Sequence, residues 1–328
     1  MGWRVLKVSL ATNYYDRTAP IYDGRVKIEG CEVHHVLLEA PEIFHRLFKF
    51  EEFDITEMSL CTHMLTTARE TSPYIGIPVF PLRMFRHSGV YIRTDRGIDS
   101  PADLRGKTIG VPEFQQTANV WVRGILDDDY GVNVAAVRWR SGGLEEPGRE
   151  ERTEIHLAPD VEWQVIPRDR TLSDMLEKGE IDAIISPRAP TCFSRKNKCP
   201  QVAQLFPDYP AAEADYYRRN KIFPIMHLIG IRRSLVEQNP WLPVSVFKAF
   251  IKAKDMIDLR HSTILPWAAA EYRRMEALLG EDYWSYHLES NRHVIDAFCR
   301  YAMNQGLVKR KVAPEELFAP STLNLSKS

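Results

Sequence analysis

Residues 77–95, IPVFPLRMFRHSGVYIRTD, are apolar and β-branched at both ends and carry Arg83, Arg86, His87 and Ser88 at the centre. Such a run reads as an extended segment passing through an interior. A guanidinium placed there costs free energy unless it meets an anion. Two readings of the arginines stand on this stretch alone. They are surface or internally paired residues, as most arginines are, or they are cations set for an anionic ligand. Strict alternation would also point Arg83 away from Arg86.

Working outward towards the N-terminus, residues 5–11 read as a strand, followed by a polar break over 12–16. A second strand spans 31–38. Pro41 then stands at a first helical position, and 42–50 place Ile43, Leu47 and Phe50 at helical spacing. A strand over 53–59 ends in Glu57 and Ser59, and a helix over 61–69 follows. Alternating strands and helices predict an α/β sheet with a parallel core. Ligands of such sheets bind beyond the carboxyl ends of the strands, at or near which Thr12–Tyr14, Glu57–Ser59 and Arg86–Ser88 all fall.

Towards the C-terminus, 100–106 form a capped turn and 107–111 a strand that runs through Glu113 into Gln116, Thr117 and a helix over 118–127. A helix N-terminus after a strand favours negative charge; an ordinary β–α turn has the same pattern. Arg123, early in that helix, is either a ligand contact or solvated. Residues 141–160, SGGLEEPGREERTEIHLAPD, read as a long surface loop without assigned chemistry. A strand over 162–166, a helix over 171–178 closed by Gly179 and a buried strand over 181–186 lead to Arg188. Residues 206–221 read as irregular. Residues 222–231, IFPIMHLIGI, form an apolar extended run holding His227, which is either a core histidine or a catalytic one. Helices over 243–259, 263–279 and 289–305 complete the chain.

The chain has 328 residues, 44% hydrophobic and 27% charged, enough for two lobes. A formal net charge of −1 gives no basic field for nucleic acid. The odd set Cys31, Cys61, Cys192, Cys199 and Cys299 suits no disulfide framework and reads as reduced thiols. The opening MGWRVLKVSLATNYYD is interrupted by Arg4 and Lys7 and lacks the apolar core of an export signal. No run approaches the roughly 20 apolar residues of a membrane span. A cytoplasmic protein without a membrane partner is expected. No Gly-rich nucleotide loop and no metal-ligand spacing is present, so no cofactor and no metal are expected.

Six motifs in order, FDITEMSL, LRMFRHSGVYIR, DLRGKTIGVPEFQQTANVWVRGIL, EKGEIDAIISPRAP, IFPIMHLIGIRR and PEELFAPST, resemble the 4,5-dihydroxyphthalate decarboxylase family. The order of elements looks like a type II periplasmic-binding-protein fold. The resemblance implies a two-lobed α/β fold with a ligand cleft between the lobes, lobe I being 1–97 plus 222–328 and lobe II 98–221. It implies a non-oxidative decarboxylase that converts 4,5-dihydroxyphthalate to protocatechuate and CO₂ in phthalate degradation. The partner is then a small aromatic dicarboxylate; homo-oligomer formation stays open.

Two adjacent carboxylates call for Arg86 and Arg188, with Arg83 and Arg123 as further cations and Ser59, Gln116 and Thr117 as donors. His87 and His227 would move protons, with Glu113 or Glu57 as partner or alternative acid, and the division of roles between the histidines stays open. An apolar wall such as Phe85, Phe114 or Met226 would favour neutral CO₂. A solute-binding protein for an aromatic or dicarboxylic acid is the alternative, separated from the enzyme by the missing export signal; another enzyme on the same fold is a second rival.

Overall fold

Leu6–Thr12 (LKVSLAT) buries Val8, Leu10 and Ala11 and forms the first strand, β1. The computed structural model describes residues 5–194, 199–257 and 266–325. After β1 come α1 (Ala19–Tyr22), β2 (Cys31–Leu37), α2 (Ala40–Phe50), β3 (Ile55–Ser59), α3 (Leu60–Ala68) and β4 (Tyr74–Ile77). Then follow β5 (Val90–Arg93), β6 (Thr108–Val111), α4 (Thr117–Tyr130), β7 (Arg138–Ser141), β8 (Trp163–Val165), α5 (Leu172–Glu177), β9 (Ala183–Ile185), β10 (Val202–Gln204) and α6 (Tyr209–Asn220). The chain closes with β11 (His227–Arg232), α7 (Arg233–Gln238), α8 (Leu242–Asp255), α9 (Ala268–Leu279) and α10 (Leu288–Asn304).

The chain divides into two compact α/β units, one of residues 1–83, 225–296 and 312–328, the other of 84–224 and 297–311. This division differs from the expected lobes over 84–97, 222–224 and 297–311, and its boundary between 296 and 297 falls inside α10. The first unit holds the sheet β2-β1-β3-β11-β4. Here β1 runs parallel to β2 and β3, and β11 is antiparallel to both β3 and β4. All five residues of β3 are buried, as a strand covered on both faces requires. Gly76 on β4 admits the backbone of Leu317: a Cβ there would lie 2.5 Å from the Leu317 carbonyl oxygen.

The second unit holds the sheet β10-β5-β9-β6-β7-β8. Its β9, β6, β7 and β8 are parallel, whereas β5 is antiparallel to β9 and β10 to β5. Its core contains Trp121 of α4, whose ring lies 5.2 Å from Phe298 and 5.6 Å from Tyr301.

Two expectations change. The run 77–95 is not one extended segment. β4 stops at Ile77, a short turn occupies His87–Gly89, and β5 starts at Val90. Pro78 and Pro81 lack the N–H that a continuous ladder needs. Residues 206–221 are not irregular, because α6 fills Tyr209–Asn220. Asp208 caps it, accepting from the Ala211 N–H at 3.1 Å, and Pro210 stands in its first turn. Only Tyr216 of α6 is fully buried, so the sequence shows no apolar stripe. The expected helix starts at Thr263 and ends at Leu259 lie outside the described residues. Among the described residues no helix is long and apolar enough to cross a membrane.

Candidate active site

In the first unit, β11 delivers His227 directly opposite Ser59 at the end of β3. Residues two apart on a strand share a face, so Glu57 and Ser59 meet His227 on one side of the sheet. Glu57 is completely buried, and its carboxylate has three donors. Oε1 accepts from His227 Nδ1 at 2.5 Å and from the Tyr15 hydroxyl at 2.6 Å; Oε2 accepts from the Asn13 N–H at 2.9 Å. Burial works to raise the Glu57 pKa, but His227, Tyr15 and Asn13 together outweigh it and hold the carboxyl below the usual range. Burial and the Glu57 charge push the Tyr15 phenol well above its ordinary value.

Because Nδ1–H donates to the carboxylate, a neutral His227 keeps its lone pair on Nε2. Nε2 makes no hydrogen bond among the described residues, and the side chain keeps 13% exposure. Phe44 of α2 meets the imidazole edge-on at 4.9 Å. Ser59 caps α3, its Oγ accepting from the Thr62 N–H.

In the second unit, the β6–α4 turn carries Glu113, Gln116 and Thr117. The anion position expected there is taken by the protein's own carboxylate. Glu151 accepts from the Phe114 N–H at 2.5 Å and the Gln115 N–H at 3.4 Å. It comes from the segment expected to be a loop without chemistry. Burial and the neighbouring Glu113 push the Glu151 carboxyl up to about 7. Arg149 and Arg152 of the same segment both bind Oε1 of the buried Glu113, Arg152 at 3.2 Å. Thr153 bonds the Gln115 amide. Glu113 is thus clamped by two guanidiniums. Gln116 is the N-cap residue of α4, its side-chain oxygen accepting from Asn119 at 3.1 Å, and Thr117 is the buried first residue of that helix.

Two of the expected arginines bond within their own units. Arg123 lies in the core of the second unit, donating to Gln305 at 2.8 Å and to the Phe114 carbonyl at 2.6 Å, with its guanidinium 3.9 Å from the Phe114 ring centre. Arg83, in the first unit, donates to the Ser285 carbonyl at 3.1 Å and to Asn291. Both spend donors on holding the fold. Arg188 is exposed just past the carboxyl end of β9.

Arg86 and His87 are buried in the second unit beside Glu213 of α6. Burial lowers the Arg86 pKa to about 10, with Glu213 acting the other way. The His87 N–H donates to Glu213 at 3.1 Å, and its ring packs on Phe206 and Tyr216. Burial lowers the His87 pKa to about 4, and neither ring nitrogen has a hydrogen-bond partner. Burial thus favours the neutral imidazole of His87. Tyr15 and Glu151 escaped the sequence reading. The only signal for Tyr15 was the polar break after β1.

Among the described residues no three His, Cys, Asp or Glu side chains are grouped to hold a metal ion. No protein-family model matches the chain. It is 46% identical over 324 residues to a 4,5-dihydroxyphthalate decarboxylase of Comamonas testosteroni, covering 97% of this chain and 98% of that protein. It is 48% identical over 213 residues to a 4,5-dihydroxyphthalate decarboxylase of Pseudomonas putida, covering 65% of this chain and 82% of that protein. Among solved structures it is similar to the periplasmic aliphatic sulphonate binding protein SsuA from Escherichia coli, with a TM-score of 0.53, 12% identity, and coverage of 99% of this chain and 95% of that one. At that identity the likeness concerns the fold.

Proposed function

The chain belongs to the 4,5-dihydroxyphthalate decarboxylase family, and from that premise we propose that it is a carboxy-lyase converting 4,5-dihydroxyphthalate to protocatechuate and CO₂, with His227 as its proton-transfer residue. The observation that supports this role is the bond from His227 Nδ1 to the buried Glu57 carboxylate. Each carboxylate of the substrate lies para to a ring hydroxyl. His227 Nε2 takes the proton of that hydroxyl, and electron density moves to the carbon bearing the leaving carboxylate. That carbon accepts a proton drawn from solvent. The bond to the carboxylate then breaks, its electron pair restores the aromatic ring, and CO₂ departs. The imidazolium returns its proton to the phenolate, so one proton is consumed per turnover. Glu57, held charged by its donors, stabilises the imidazolium in between.

The purified protein should release one CO₂ and one protocatechuate per 4,5-dihydroxyphthalate. Saturable binding without product would sink the proposal. His227→Ala should lower turnover by about 10²-fold or more, and a near-normal rate would return His227 to the core.

A further inference from the structure

The proposed chemistry uses Glu57 and His227 and leaves the Tyr15 phenol without a task. Yet Tyr15 and His227 donate to the same carboxylate oxygen, at 2.6 and 2.5 Å. We propose that Tyr15 is a positioning residue that sets how strongly Glu57 holds the imidazole of His227, and thereby the pH at which decarboxylation begins. The inference rests on the reading of His227 as the proton-transfer residue.

Two donors on one oxygen share its electron density, so each weakens the claim of the other. The second oxygen is held by the Asn13 N–H at 2.9 Å. The carboxylate is therefore fixed in its plane, and the share given to His227 depends on Tyr15. Tyr15 is fixed in turn. Its carbonyl accepts from the Thr18 N–H at 3.1 Å and the Ala19 N–H at 2.9 Å, which ties it to the start of α1. The charged and titratable groups facing this cluster are Arg17, 5.6 Å from the Tyr15 ring, and Tyr22 of α1. α2 presents the Phe44 ring to His227, and β3 presents Ser59 beside Glu57. With its phenol held protonated by burial and by Glu57, Tyr15 stays a donor across the working range.

Tyr15→Phe removes the hydroxyl and keeps the ring. The full oxygen then turns to His227 and holds the imidazolium more tightly. The acid limb of the kcat/KM profile should move to higher pH by roughly half a unit to one unit, the worth of one net hydrogen bond. In a Glu57→Gln background the same substitution should add no further shift. An unmoved limb in Tyr15→Phe, even with a lower rate, would overturn the proposal, since a merely structural tyrosine leaves the profile in place. The titration of the His227 ring, followed by NMR in the substrate-free protein and identified by its loss in His227→Asn, reads the same coupling without catalysis. Wild-type turnover by His227→Asn would defeat the functional reading; an unmoved ring titration in Tyr15→Phe would defeat the role of Tyr15.

Discussion

Histidines 63, 87 and 227 all lie in apolar surroundings, and their partners separate them. His63 donates to the Leu317 carbonyl at 2.8 Å, the His87 ring packs on Phe206 and Tyr216 without a hydrogen bond from either nitrogen, and His227 faces a carboxylate. Burial lowers the first two to about 4. Their folded values lie below the ordinary value near 6.5, so they contribute stability that is complete above about pH 6.5 and is lost as pH falls towards about 4. The urea midpoint should drop over that window, and a His63→Gln, His87→Gln double variant should drop less; an equal drop would refute the assignment.

His227 stands out in the sequence as the polar residue inside an apolar run. Tyr15 does not, because its partner lies 42 residues away and meets it only once β1 pairs with β3. The partners of Arg83 and Arg123 were hidden for a related reason. A guanidinium satisfied by a carbonyl and an amide looks, in sequence, like one awaiting a ligand.

Among the elements, the segment 149–153 teaches most about charge. Its composition reads as solvated surface, yet it turns Arg149, Glu151 and Arg152 inward onto the β6–α4 turn. Sequence periodicity registers which residues are polar, not where a polar residue finds its counter-charge. Glu151 has a folded value of about 7, above the ordinary carboxylate range. Its contribution to stability is therefore present at low pH and is lost as pH rises through about 7. Glu151→Gln keeps an acceptor for the Phe114 N–H and removes the charge. Denaturation midpoints should be higher than wild type at pH 8 and equal to it at pH 4; a lower midpoint at pH 8 would contradict this. The helix α6 was missed for the opposite reason: its cap and proline were in the sequence, but its exposed faces hide the 3.6-residue period.

Across the whole molecule, the α/β class was legible because buried strands alternate with helices in both units. The boundaries were less so, since residues 77–95 look continuous until their prolines are weighed. All five cysteines are free thiols, four buried and Cys31 partly so, with burial raising the Cys31 thiol to about 11. A thiol reagent should therefore count five per chain in denaturant and react slowly with the native protein; fewer than five would reveal a disulfide.

The sheet order β2-β1-β3-β11-β4 also bears on how the chain is made. β3 and β4 are joined only through β11, a strand that begins about 150 residues after β4 ends. A ribosome has delivered all of residues 84–224 before it delivers His227. Until then Glu57 sits on a strand with one side open, a buried carboxylate without its main partner. The first unit is thus the last to be completed, although its strands are the first to be translated. In the interval the edges of β3 and β4 are open to other chains, the exposure that slow, non-local pairing brings.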